Sequence, residues 1–314
     1  MPNKQTKKPE DYIVPLNMNG LQGRMMVLPA PKAHPDNEIL YVYGNHSLIE
    51  RWWGLAQVLN RYGKLTMPDL PGFGGMDSLY TIGKKPTLDN MADYLASFVK
   101  WRYKRKRVVI VGFSYGFLVT TRMLQRYPEL AKQVDFLVSA VGFTHHEDFS
   151  FSKTRKAFYR WAPALFTNRP MAFFFRTVAL NGWVLRTFYR HTFNAKKKFE
   201  DADSEMAKLL MDMEIELWQR NDVRTRMQCY VDMFTVDNCK KRVELPVWHV
   251  SALADQYFNR NAVEQHMRII FNDFNEAQNK SKRHTPTVIA TAKESEMFVP
   301  LKVRKAFLAL KRQP

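Results

Sequence analysis

Gly112-Phe113-Ser114-Tyr115-Gly116 sets a serine between two glycines. The β-branched run Val108-Val109-Ile110-Val111 precedes it, and a helical pattern from Phe117 to Tyr127 follows. A strand, a tight glycine-flanked turn and a helix are the setting of a nucleophile elbow. Such a turn is strained, and bulky flanking residues would collide with it. It lifts the serine hydroxyl above the sheet edge and turns the next residue's N–H toward a reacting carbonyl. The chemistry expected is attack by Ser114 on an acyl carbon once a base takes its proton.

Positioning that serine requires a sheet. Ile13 to Val27 reads as two short strands with Asn19-Gly20 as the turn between them. Glu38 to Tyr43 reads as a strand, Ile49 to Arg61 as a helix and Leu65 to Met67 as a short strand. Leu70 to Gly75, rich in glycine and proline, is a loop. Thr87 is placed to cap a helix reaching Trp101, with Leu88, Met91, Leu95 and Phe98 as its apolar stripe. Asp135 to Ser139 is a further strand after the elbow and its helix. Strand–helix alternation with short connections predicts a parallel sheet covered on both faces. It stops near Val141, and residues 142–242 read as helices. Val243 to Val250 resumes as a strand, Asn259 to Phe271 as a helix, Thr287 to Ala290 as the last strand and Pro300 to Leu310 as the last helix. The expected organisation is an α/β core from 13–141 and 243–314, a helical lid at 142–242 and a disordered tail at 1–12.

The 314 residues, 46% of them hydrophobic, suffice for a full core in one large domain or one domain with an insertion. Ordinary glycine and proline content excludes collagen-like and largely disordered chains. Cys229 and Cys239 lack CxxC spacing and a zinc-spaced histidine, so they read as reduced and structural, consistent with a cytoplasmic setting. The polar start, Met1 to Asp11, lacks the apolar region of a signal peptide. No apolar run reaches the length of a membrane-spanning helix. The net charge of +18 permits attraction to anionic lipid, nucleic acid or an acidic partner without choosing among them.

Four segments together resemble the α/β-hydrolase family, in its lidded branch of esterases, lipases, dehalogenases and carbon–carbon bond hydrolases. Tyr43-Gly44-Asn45 stands where that family has its His-Gly-x oxyanion loop. Asp69-Leu70-Pro71-Gly72-Phe73-Gly74 matches its D-x-x-G-x-G loop, read here as a structural turn. Gly112 to Gly116 is the elbow, and Ala252-Leu253-Ala254-Asp255 follows a proline-led strand where the family keeps its acid. The resemblance implies Ser114 as nucleophile, Asp255 as the acid that orients the base, and the N–H groups of Asn45 and Tyr115 as the oxyanion hole. Neither a metal nor an organic cofactor is expected, because the sequence shows no ligand cluster and no dinucleotide-type G-x-G-x-x-G.

The family's histidine follows the last strand, shortly before the final helix. Here Ala290 to Pro300 contains none, and His284 falls before the expected strand, at its far end. Three readings stay open. His46, beside the oxyanion loop, or His145 or His146, after the Asp135 strand, supplies the base. Alternatively Glu294 or Glu296 does so as a carboxylate whose pKa burial has raised. In the third reading hydrolysis is lost and the scaffold binds a lipid, an anionic membrane surface or a protein partner.

From Lys153 to Lys198 every charged side chain is basic, and Phe158, Trp161, Phe173, Phe174, Trp183 and Phe193 are interleaved with them. That pattern fits a lid with its apolar face on the pocket and its arginines in water. It also fits an interfacial surface for anionic lipid, and so a protein peripheral to a membrane. Nucleic acid is disfavoured because no recognised binding module is present. The function expected is hydrolysis of an apolar or lipid-like ester or acyl substrate through Ser114.

Overall fold

The structure, a computed structural model, describes residues 7–191, 204–253, 255–279, 284 and 291–310. Its strands are β1 (Ile13–Met18), β2 (Leu21–Leu28), β3 (Glu38–Val42), β4 (Lys64–Pro68), β5 (Val108–Phe113), β6 (Val134–Ala140), β7 (Val243–Ser251) and β8 (Phe271–Gln278). They form one sheet in the order β1-β2-β4-β3-β5-β6-β7-β8. β1 and β2 pair antiparallel, as do β2 and β4, and every later pairing is parallel. The β1–β2 turn is made by Asn19 (φ 54°) and Gly20 (φ 79°), the left-handed pair that suits a tight hairpin.

β5 is buried along its whole length, as a β-branched run without polar alternation demands of a strand covered on both faces. The covering helices include α1 (Trp53–Asn60), α2 (Leu88–Tyr103) and α3 (Tyr115–Arg126). Leu88, Met91, Leu95 and Phe98 of α2 are buried, and the Thr87 side chain caps the helix by accepting the Asn90 N–H. The expected strand–helix alternation is therefore present, with a 3-10 turn at Ile49–Trp52 leading into α1.

Between β6 and β7 lie the helices α4 (Lys153–Leu165), α5 (Arg169–Phe174), α6 (Gly182–His191), α7 (Ser204–Arg220) and α8 (Val223–Met233). Among the described residues this stretch pairs as β-structure only through the isolated bridges His145–Asp237 and Phe149–Phe258. Ala172, Leu180, Leu185, Ile215, Val223 and Met227 form a small core of their own within it, apart from the main one.

Two expectations are corrected. Pro9–Tyr12 form a 3-10 turn, and Tyr12 stacks on Trp53 with ring centroids 5.6 Å apart, so this part of the tail is ordered by packing; residues 1–6 lie outside the described ones. Among the described residues the last strand of the sheet is β8, unexpected from the sequence, which follows α9 (Arg260–Ile270) directly and pairs with β7 from Val243 to Ser251. Thr287 to Ala290, expected to be that strand, lie outside the described residues, as do Ala254 and 192–203. The chain ends in the short α10 (Ala292–Ser295) and α11 (Leu301–Leu308). Among the described residues no helix is long and apolar enough to cross a membrane.

Candidate active site

The order β4-β3-β5-β6 reverses direction between β3 and β5. In open α/β sheets the crevice beyond the strand ends at such a reversal is where ligands sit. Asn45 follows β3, Ser114 follows β5, Asp255 follows β7 and His284 follows β8. The parallel pairing brings all four to the same edge of the sheet.

Ser114 occupies a strained backbone conformation, φ 49° and ψ −116°, between β5 and α3. Such a conformation costs about 1–3 kcal/mol and persists only when its surroundings enforce it. The Ser114 N–H donates to the Ala140 carbonyl at 3.0 Å, and its own carbonyl accepts from the Phe117 N–H at 3.1 Å. The two glycines permit close approach. A Cβ on Gly112 would lie 2.6 Å from Phe117 Cα, and one on Gly116 would overlap the Val42 and Tyr43 carbonyls.

The Ser114 hydroxyl meets His284. His284 Nε2 lies 3.3 Å from Ser114 Oγ, and His284 Nδ1 lies 2.7 Å from Asp255 Oδ2. The other Asp255 oxygen, Oδ1, accepts the N–H groups of Tyr257 at 2.8 Å and Phe258 at 3.3 Å. Burial works against the Asp255 charge. The hydrogen bond and electrostatic interaction with His284, with the two backbone N–H groups, outweigh it and hold the carboxyl below its ordinary range. His284 is buried, with Phe113, Tyr257 and Phe258 presented edge-on or tilted to its ring at 5.0–6.0 Å. A hydroxyl, an imidazole and a carboxylate in this line can move the hydroxyl proton to the imidazole while the carboxylate stabilises the resulting cation.

The residues expected to form the oxyanion hole lie beside the serine. A Cβ on Gly44 would sit 3.3 Å from Ser114 Cβ, which puts the Tyr43-Gly44-Asn45 loop against it. Tyr115 opens α3, so its N–H belongs to the first turn, which has no acceptor within the helix. Its side chain is fully buried, which leaves the main chain as the part able to act.

None of the five expected bases is the group at Ser114 Oγ; among the described residues that group is His284. His46 turns toward the inserted helices: Asn221 Nδ2 is 3.0 Å from its Nδ1, and Trp218 packs on its ring at 4.8 Å. His145 stacks between His146 and His266 with centroids 4.2 and 4.3 Å away. Burial, then the two neighbouring histidines, hold its pKa down. His146 Nδ1 is committed to the Val236 carbonyl at 3.0 Å. Glu296 pairs with Arg61 at 2.6 Å, and Glu294 lies in α10 with its N–H capped by Thr291. The sequence does not point to His284 because it does not announce β8, the strand that His284 follows.

The Asp69 loop is structural, as expected. Asp69 is fully buried and accepts from Arg24 Nε at 2.7 Å, the Tyr43 hydroxyl at 2.7 Å and the Gly75 N–H at 3.0 Å. Gly72 and Gly74 adopt φ of 81° and 63°, and a Cβ on Gly74 would overlap the Asp69 carboxylate. The α7–α8 junction docks here. Asn221 Oδ1 accepts the Gly74 N–H at 2.8 Å, and the Asp222 N–H donates to the Gly72 carbonyl at 2.8 Å.

A family model described as the alpha/beta hydrolase fold matches residues 39–226. The chain belongs to the α/β-hydrolase fold family. No curated protein sequence matches this α/β-hydrolase significantly, but solved structures of the fold do. The enol-lactonase from Burkholderia xenovorans LB400 is similar with a TM-score of 0.66 at 12% identity, over 95% of this chain and 100% of that one. The esterase RhEst1 from Rhodococcus sp. ECU1013 is similar at 0.63 and 15%, over 96% and 100%. The N-formylmaleamic acid deformylase from Pseudomonas putida S16 is similar at 0.62 and 13%, over 91% and 98%. At these identities the likeness is one of fold.

Proposed function

We propose that this α/β-hydrolase is a serine hydrolase of ester or similar acyl bonds. The carrying observation is the line from Ser114 Oγ through His284 to Asp255, with contacts of 3.3 and 2.7 Å. Ser114 Oγ attacks the acyl carbon and its proton passes to His284 Nε2. Asp255 holds the Nδ1 proton and stabilises the imidazolium. The N–H groups of Tyr115 and Asn45 receive the charge that develops on the acyl oxygen, where each such donor is typically worth about 3 kcal/mol. His284 then protonates the leaving group, and a water repeats the sequence to release the acid.

An apolar acyl group fits the surroundings. Trp218, which packs on His46 beside Asn45, also lines a cavity of about 440 Å³ whose apolar wall is Phe173 and Leu180 and whose polar wall is Arg176, Thr177, Asn181 and Gln219. The inserted helices thus act as a lid that shapes the acyl side of the site. The similar structures named as a lactonase, an esterase and a deformylase accord with acyl chemistry. The reading of this protein as a non-catalytic binder rested on the want of a histidine, and His284 now stands at hydrogen-bonding distance.

The test is hydrolysis of p-nitrophenyl esters of graded chain length by wild type, Ser114→Ala and His284→Ala, with a fluorophosphonate probe in parallel. Turnover and labelling should be present in the wild type and lost in both variants. Absence of labelling at Ser114 in folded wild-type protein would overturn the proposal.

A further inference from the structure

In α4–α6 the usual sorting of side chains is inverted. Ala172, Leu180 and Leu185 are buried against the other inserted helices. The larger side chains Phe158, Trp161, Phe173, Phe174 and Trp183 stand 59–74% exposed. On α4, Phe158, Trp161 and Leu165 follow helical spacing, so they form one exposed stripe. Five large aromatic side chains exposed on consecutive helices exceed the scattered apolar residues of an ordinary surface and mark an interaction site.

The charge carried by α4–α6 themselves has one sign. No Asp or Glu occurs between Asp148 and Glu200. Lys153, Arg160 and Arg169 are exposed on the same helices as the aromatic residues. Arg186 is the contrasting case, paired with Asp212 of α7 at 2.6 Å. Aromatic groups that insert at the level of lipid headgroups, bordered by cations, match an anionic bilayer. A protein partner would place no such requirement on α4–α6, which carry no acidic side chain from 153 to 191.

The face also borders a cavity. Phe173, on the exposed surface, lines the cavity that extends to Trp218, and Trp218 packs on His46 next to Asn45. We propose that the α4–α6 face docks on an anionic lipid surface and that this cavity is the route by which a lipid-like acyl chain leaves the bilayer for Ser114. The docking stands on the face alone; the route rests on the hydrolase reading.

The experiment is flotation of full-length Ser114→Ala with phosphatidylcholine vesicles, with and without phosphatidylglycerol. The serine variant separates binding from turnover. Binding should require phosphatidylglycerol and weaken as salt is raised. It should fall by about tenfold in Trp161→Ser/Trp183→Ser and again in Arg160→Gln/Arg169→Gln. Thermal melts of both double variants check that they fold. Vesicle binding that is absent, or unchanged in both folded variants, overturns the proposal. A dimer seen by light scattering and abolished by the tryptophan substitutions, without vesicle binding, assigns the face to self-association and overturns it too. Binding to duplex oligonucleotide with none to vesicles does the same. A wild type that binds vesicles but cleaves no ester would sink the proposed function and the route while leaving the docking intact.

Discussion

Asp255 grips His284 with one carboxylate oxygen while its other oxygen is held by the backbone of its own loop. The 2.7 Å contact to His284 Nδ1 uses Oδ2, and the Tyr257 and Phe258 N–H groups occupy Oδ1. The carboxylate is oriented before the imidazole arrives, and the imidazole is left with Nε2 toward Ser114. Nδ1 must then carry the proton, the tautomer that general-base action on a serine needs.

Three substitutions should therefore behave as one unit. Ser114→Ala and His284→Ala are each expected to lower kcat by about 10⁴–10⁶, and Asp255→Asn by about 10⁴. The double variant Ser114→Ala/His284→Ala should be no worse than either single one. Steady-state kinetics on one soluble ester checks this. A His284→Ala variant retaining most of its kcat would assign the base elsewhere.

Asn45→Ala makes a contrasting case. The oxyanion role given to Asn45 belongs to its main chain, which alanine keeps. The kcat of this variant should stay within about tenfold of wild type, against the 10²–10³ expected when an oxyanion donor is truly removed. A larger loss would place the side-chain amide in the chemistry.

Gly116 and Gly83 should respond differently to alanine. At Gly116 the new methyl would strike the Val42 and Tyr43 carbonyls, which are backbone and cannot yield cheaply. At Gly83, φ is 73° and nothing lies within 4 Å of an added Cβ, so only the left-handed backbone is penalised. Urea unfolding should show a loss of about 3 kcal/mol or more for Gly116→Ala and about 1 kcal/mol for Gly83→Ala.

Acid should weaken the fold through His249. Burial lowers its pKa to about 4, and it lies 3.0 Å from Ser139 Oγ inside the sheet. An unfolded histidine titrates near 6.5, so the unfolded chain binds this proton first as pH falls. The stability held by the neutral ring is complete above about 6.5 and is lost as pH drops toward about 4, a change of up to about 3 kcal/mol. Asp255, with its lowered pKa, adds a loss of the same sign at pH values below the ordinary carboxylate range. Denaturant unfolding between pH 7 and 4.5 should show the first slope in wild type and not in His249→Asn.

Asn221→Ala should loosen the inserted helices. It removes the acceptor of the Gly74 N–H and the partner of His46 Nδ1, both at a residue that is itself buried. A buried donor left unpaired costs about 1–3 kcal/mol. Limited proteolysis should cut the segment between β6 and β7 faster in this variant, with a lower melting temperature.

Local chemistry was enough for most of this protein. The run Val108–Val111 and the glycines around Ser114 specify a buried strand and a strained turn wherever they occur, because β-branching and the lack of a Cβ act within a few residues. The same holds for Thr87 as a cap and for the Asp69 loop, where Gly72 and Gly74 adopt positive φ. Asp255, singled out by its place after a proline-led strand, lies 2.7 Å from His284.

The base was not. β8 reads Phe-Asn-Asp-Phe-Asn-Glu-Ala-Gln, with little apolar alternation, and it runs on from α9 without a turn signal. It becomes a strand because seven of its residues pair with β7, a long-range partner that local propensity cannot report. With the apolar Thr287–Ala290 run read as the final strand, His284 falls before it; in the structure His284 follows β8 and reaches Ser114. Which histidine meets Ser114 is decided by which segment completes the sheet. That is a matter of parallel pairing between distant segments, and it exists only once the chain has folded.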